Sequence, residues 1–172
     1  QGAVDVGEEL DPTDADRERA AHAIDIEAYR RESGYIRAGI ELLVVARAAQ
    51  QALDAGASGT DRADLQERAA PWRAWLLTNE AFAAYGGTRF TDWRLFQLAF
   101  ILAHVPTLAS RMPAYADRFD AFRDELSASL LYFPTGGGKS EAFFGLLVYN
   151  LFLDCLRGKD RGEARHHILA QG

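Results

Sequence analysis

The chain has 172 residues, of which 48% are hydrophobic, 26% charged and 11% aromatic, a globular composition rather than a disordered or fibrous one. Its net charge is −6 and its pI about 5.2, which excludes a strongly basic nucleic-acid-binding domain for the chain as a whole but not a local basic groove. One cysteine, Cys155, excludes an intramolecular disulfide and a multi-cysteine zinc site.

The first 13 residues are acidic, with Asp5, Glu8, Glu9 and Asp11, and read as a solvated arm. They carry no basic start of the kind a signal peptide needs. Thr13 and Asp16 give a weak N-cap signature, and Glu18 suits the positive end of a helix dipole. The Ala-, Arg- and Glu-rich run that follows predicts a helix over 14–31, broken at Ser33-Gly34. Ile36, Ile40, Leu43, Val44 and Leu53 recur at helical spacing and predict a second helix over 35–54. Residues 54–60 (DAGASGT) read as a loop, and 61–70 as a short helix. Pro71 suits the first turn of the next helix, which carries Trp72, Trp75, Leu76 and Leu77 and ends at Gly86-Gly87.

From residue 92 an apolar helix is expected as far as Pro106, then loop and helix over 111–126. Residues 128–133 (ASLLYF) are short, apolar and followed by proline and glycines, and predict a buried strand. Residues 139–157 are apolar almost all round and predict a helix buried on most sides.

Between that strand and that helix stands Phe133-Pro134-Thr135-Gly136-Gly137-Gly138-Lys139-Ser140. Strand, glycine loop, Lys-Ser and helix in this order is the context of a phosphate-binding loop. Consecutive glycines let backbone N–H groups turn inward on one centre, with no Cβ to block the approach of phosphates. The following helix N-terminus adds partial positive charge. Thr135, Gly136, Gly137 and Gly138 would supply the cradle for the phosphates of ATP. Lys139 would neutralise the β- and γ-phosphates, and the Ser140 hydroxyl would be one ligand of Mg²⁺. The general pattern G-x-x-x-x-G-K-[ST] has a glycine where this chain has Phe133.

Residues Pro134–Ser140 resemble motif I of superfamily 2 helicases. The longer run Leu130–Leu147 (LLYFPTGGGKSEAFFGLL) resembles the helicase-like subunit of the DISARM anti-phage defence system. Trp93–Ile101 (WRLFQLAFI) and Leu77–Phe82 (LTNEAF) are similar to that group as well, so the resemblance covers roughly 72–162. It implies an ATP-binding segment of a DNA helicase or translocase, with DNA and a defence-complex subunit as partners. It implies an α/β fold, in which a helical region over 1–90 leads into the start of a RecA-like ATP-binding domain over 91–172. It makes Gln97 the candidate reader of adenine, because a carboxamide offers both a donor and an acceptor. Arg94 is either a nucleotide contact or a solvated charge.

Phosphate binding is not hydrolysis. A helicase also needs an Asp-Glu pair and arginines from a second lobe, and neither is recognisable here. After Ser140 there is room for at most one more strand, within His166–Ala170, so a RecA-like core is expected to be incomplete and the chain is read as a segment of a longer polypeptide. A nucleotide-binding scaffold without turnover is the alternative. A small phosphotransferase is disfavoured because 132 residues precede Phe133. No run reaches the ~18 apolar residues of a membrane span, so a cytoplasmic setting is the simplest expectation. His166-His167 reads as polar loop, His104 as a satisfied core or rim histidine, Cys155 as core packing, Glu141 as a first-turn helix acid, and the three tryptophans as core.

Overall fold

The computed structural model describes residues 12–86, 92–132 and 137–158. Every regular element among them is helical: α1 (Pro12–Asp54), α2 (Thr60–Gly86), α3 (Leu95–Ala109), a 3₁₀ turn (Pro113–Arg118), α4 (Ala121–Asp124) and α5 (Lys139–Gly158). This corrects the expected α/β class. The described part of the predicted strand, residues 128–132, has no strand structure, and Leu130 and Tyr132 are 89% and 90% exposed. A strand persists only where a neighbouring strand pairs with its N–H and C=O groups, and no strand occurs among the described residues. A RecA-like sheet is therefore absent among the described residues.

The helices also run longer than punctuation predicts. Ser33-Gly34 does not break α1, because one glycine costs only about 1 kcal/mol relative to alanine and Arg30, Arg31, Glu32, Arg37 and Ala38 on either side are good helix formers. Pro71 sits inside α2 and Pro106 inside α3, where each costs about 3 kcal/mol in a free helix. Both rings are fully buried, and that burial offsets the loss.

The fold divides at Gly34. The described residues before it form exposed helix, held along its surface by the i,i+3 pairs Asp14–Arg17, Asp16–Arg19 and Glu27–Arg30. Each such pair is worth a few tenths of a kcal/mol. From Tyr35 onward the helices share one core. Leu42, Leu43 and Ala46 of α1 meet Ala70 and Ala74 of α2, Val105 and Ala109 of α3, and Tyr149 and Leu153 of α5, with Met112 and Tyr115 between. Trp72 and Trp75 pack against this cluster, as expected of core tryptophans.

Two glycines set the closest approaches. A methyl group at Gly39 would lie 1.9 Å from the Leu102 carbonyl oxygen, and one at Gly145 would lie 2.7 Å from both Ile101 and Trp93. Helix α5 buries Ala142, Tyr149 and Leu153, but Phe143, Phe144 and Leu147 are half-exposed or more. It is therefore buried along one stripe rather than on most sides. Cys155, expected in the core, is exposed on the same helix. No helix among the described residues is long and apolar enough to cross a membrane.

Candidate functional site

The first turn of α5 and the two glycines before it meet the start of α3. Gly138 has φ +89°, a left-handed conformation that a side chain strains. Space forbids a side chain as well, because a methyl group there would lie 2.7 Å from Gln97 Nε2 and 3.3 Å from a Glu141 carboxylate oxygen. Lys139, Ser140 and Glu141 open the helix immediately afterwards. Glu141 is the expected first-turn acid. Lys139 is partly buried and Ser140 exposed. Thr135 and Gly136, the first two residues of the expected cradle, lie outside the described residues, as do Phe133, Pro134 and the His166-His167 pair.

Helix α3 grips this loop through two side chains. Arg94, its N-cap, donates from Nη1 to the Gly137 carbonyl. Gln97 donates from Nε2 to the Gly138 carbonyl at 2.8 Å. The Gln97 Oε1 atom accepts from the Arg94 backbone N–H, also at 2.8 Å, which satisfies a free donor at the helix start. Gln97 is 1% exposed, so its amide is committed on both sides within the protein. Of the expected site residues, the fold thus brings together Gln97, Gly137 and Gly138 with the start of α5. Arg94 is neither a bare solvated charge nor idle, for it is tied to the loop backbone.

Behind the grip lies a second row of contacts. Trp93 donates from Nε1 to Asn79 Oδ1 at 2.9 Å, and Asn79 in turn donates to the Trp75 carbonyl at 2.7 Å. The Phe82 ring lies 4.4 Å from that of Trp93, centroid to centroid. Because Gly145 fits directly against Trp93, the indole fixes where the first two turns of α5 can lie relative to residues 93–97.

The connection from α3 to the glycine loop is held by polar side chains. Thr107 donates to Asp124 Oδ1 at 2.6 Å, and Arg123 forms a two-pronged pair with the same carboxylate at 2.6 and 2.9 Å. The Asp120 backbone N–H donates to its other oxygen at 2.9 Å. Burial alone would push the Asp124 carboxyl up. The bonds from Arg123, Asp120 and Thr107 outweigh it and hold the group below its ordinary value. Further along, His104 bridges the Phe100 carbonyl, at 2.7 Å, and Ser129 Oγ, at 2.9 Å, so it is a satisfied rim histidine as expected. The Trp93–Asn79 and Thr107–Asp124–Arg123 contacts carry no local sequence signal. Their partners are 14 and 17 positions apart, and only the fold joins them.

No group of three or more histidines, cysteines and acidic residues among the described residues could hold a metal ion.

No family model and no solved structure matches the chain. One stretch of 60 residues, 35% of the chain, is 40% identical to part of the DISARM protein DrmA of Bacillus paralicheniformis. The stretch spans about 5% of that relative's length. The likeness supports a link to DISARM proteins.

Proposed function

We propose that the glycine loop and first turn of α5 bind the phosphates of ATP, and that the chain serves this step in an ATP-dependent DNA helicase or translocase of anti-phage defence. The observation that carries the reading is Gly138. Its left-handed backbone opens directly into a 20-residue helix whose first two residues are Lys139 and Ser140. A loop bent in this way exposes amides to an anion, and the helix dipole favours negative charge at the same point. The partial likeness to DrmA supports the defence setting.

In this reading Thr135, Gly136, Gly137 and Gly138 supply the cradle for the phosphates. Lys139 neutralises charge on the transferable phosphates, and the Ser140 hydroxyl would hold Mg²⁺. Mg²⁺ held there would supply further neutralisation of the same charge. The adenine contact expected of Gln97 would need the second hydrogen of Nε2 or the second lone pair of Oε1, on a side chain that is already bonded to Gly138 and Arg94 and is buried.

Calorimetric titration with ATP and magnesium tests the site. Lys139→Ala, checked for folding by its melting transition, is expected to lower affinity by roughly tenfold or more, the worth of one charge-assisted contact. Equal binding by the variant, or none by the parent chain, overturns the reading. ATP turnover stimulated by DNA, and lost in Lys139→Ala, separates a motor from a scaffold that binds nucleotide without turnover.

A further inference from the structure

Resting on that phosphate-binding reading, we infer that Arg94 and Gln97 are positioning residues that aim two successive loop amides at the anion. The reasoning starts from the peptide unit. A trans peptide is planar, and its carbonyl oxygen points opposite to the N–H of the next residue. No described peptide bond is cis. Arg94 holds the Gly137 carbonyl, so the Gly138 N–H points away from Arg94. Gln97 holds the Gly138 carbonyl, so the Lys139 N–H points away from Gln97.

Both grips come from the first turn of α3 and its cap, so both carbonyls face that helix start and both amides face the other way. Successive N–H groups turned to one side form an anion-binding concavity, and this needs a left-handed residue next to a right-handed one. Gly138, at φ +89° before the helical Lys139, supplies that pair independently of the side chains. Gln97 is buried and braced by the Arg94 backbone N–H, so its hold on Gly138 is fixed before any ligand arrives. Cradle amides fixed in advance need no ordering when phosphate binds, and that raises affinity without a direct contact from either residue.

Titration of the full chain with magnesium-ATP and with magnesium-tripolyphosphate, which has no base or sugar, tests this. Arg94→Ala removes an exposed side chain and should leave the fold intact. It is expected to weaken both ligands alike, by roughly fivefold to tenfold, the worth of one orienting hydrogen bond. The loss should persist from about 50 mM to about 500 mM salt, because screening does not act on a backbone orientation. Gln97→Leu, checked for folding by its melting transition, should give the same equal loss. A loss confined to ATP would make the residues base contacts, and one that fades with salt would make Arg94 a direct charge. Either result overturns the inference, as does unchanged affinity in both variants while the parent chain binds. If the parent binds neither ligand, the phosphate-binding reading itself falls, and this inference with it.

Discussion

Helix α3 is held in two different ways. Its neighbouring helices meet it through shape. Ile101, Val105 and Ala109 are fully buried, Gly39 lets the α1 backbone reach that of Leu102, and Gly145 makes room for the Ile101 and Trp93 side chains. The connecting segments meet it through polar side chains instead: Arg94 and Gln97 to the glycine loop, His104 to Ser129, and Thr107 to Asp124. Shape contacts have no single partner to lose, and they set the global stability of the core. Hydrogen-bonded tethers are directional, individually worth about 1 kcal/mol, and can open locally. Segments that must receive a ligand are better held in the second way, and the candidate site lies there.

The largest effect should come from attacking the first kind of contact. Gly39→Ala places a methyl group against the Leu102 carbonyl, a backbone atom that cannot swing aside. The helices must separate, at a cost of about 3 kcal/mol, read as a lowered midpoint in urea. A cost below about 1 kcal/mol would mean that the close approach of α1 to α3 is soft, and the contrast between shape and tether would weaken.

A smaller effect is expected at the tether with the most bonds. Asp124→Asn breaks the two-pronged pair with Arg123 and should cost about 2 kcal/mol at neutral pH. The sign with pH follows from the lowered carboxyl value. A group held below its ordinary 3.8 contributes stability above that pH and loses it as pH falls through the lower folded value. Melting curves at pH 7 and at about pH 3 should therefore differ less for Asp124→Asn than for the parent chain. An equal acid dependence in both would show that the carboxylate is not the group that couples this tether to pH.

Much of the helical content was legible, and for a simple reason. Apolar spacing in 35–54 and the long apolar run of 139–157 report helix directly, and both stretches are helical. Breaker residues misled. Gly34, Pro71 and Pro106 mark helix ends in isolation, but helix-forming neighbours or burial carried the helix through each. The strand over 128–133 was the larger error. A short apolar run before a glycine loop has the local pattern of a buried strand, yet a strand is a property of two segments, and one run cannot report its partner. At the site, Gly137, Gly138 and Lys139 were legible because glycine and charge are chemical types visible in the chain. The grip of Arg94 and Gln97 was not, because their bonds cross 43 and 41 positions to backbone carbonyls.

The smallest effect, and the one of opposite sign, concerns a polar atom inside the region held by shape. Two tyrosines line the core. The Tyr115 hydroxyl donates to the Arg68 carbonyl at 2.6 Å, and burial pushes its titration up to about 12 despite the nearby Arg68 and Arg118. The Tyr149 hydroxyl, fully buried, has no hydrogen-bond partner among the described residues, and burial pushes its titration up further. A buried donor without a partner has lost its bonds to water and gained none, so removing it should cost nothing. Tyr149→Phe keeps the ring and its packing and is expected to leave the urea midpoint unchanged or to stabilise the chain by up to about 1 kcal/mol. If instead it destabilised by more than that, the hydroxyl would have a partner outside the described residues, and the core at α5 would be held partly by a tether after all.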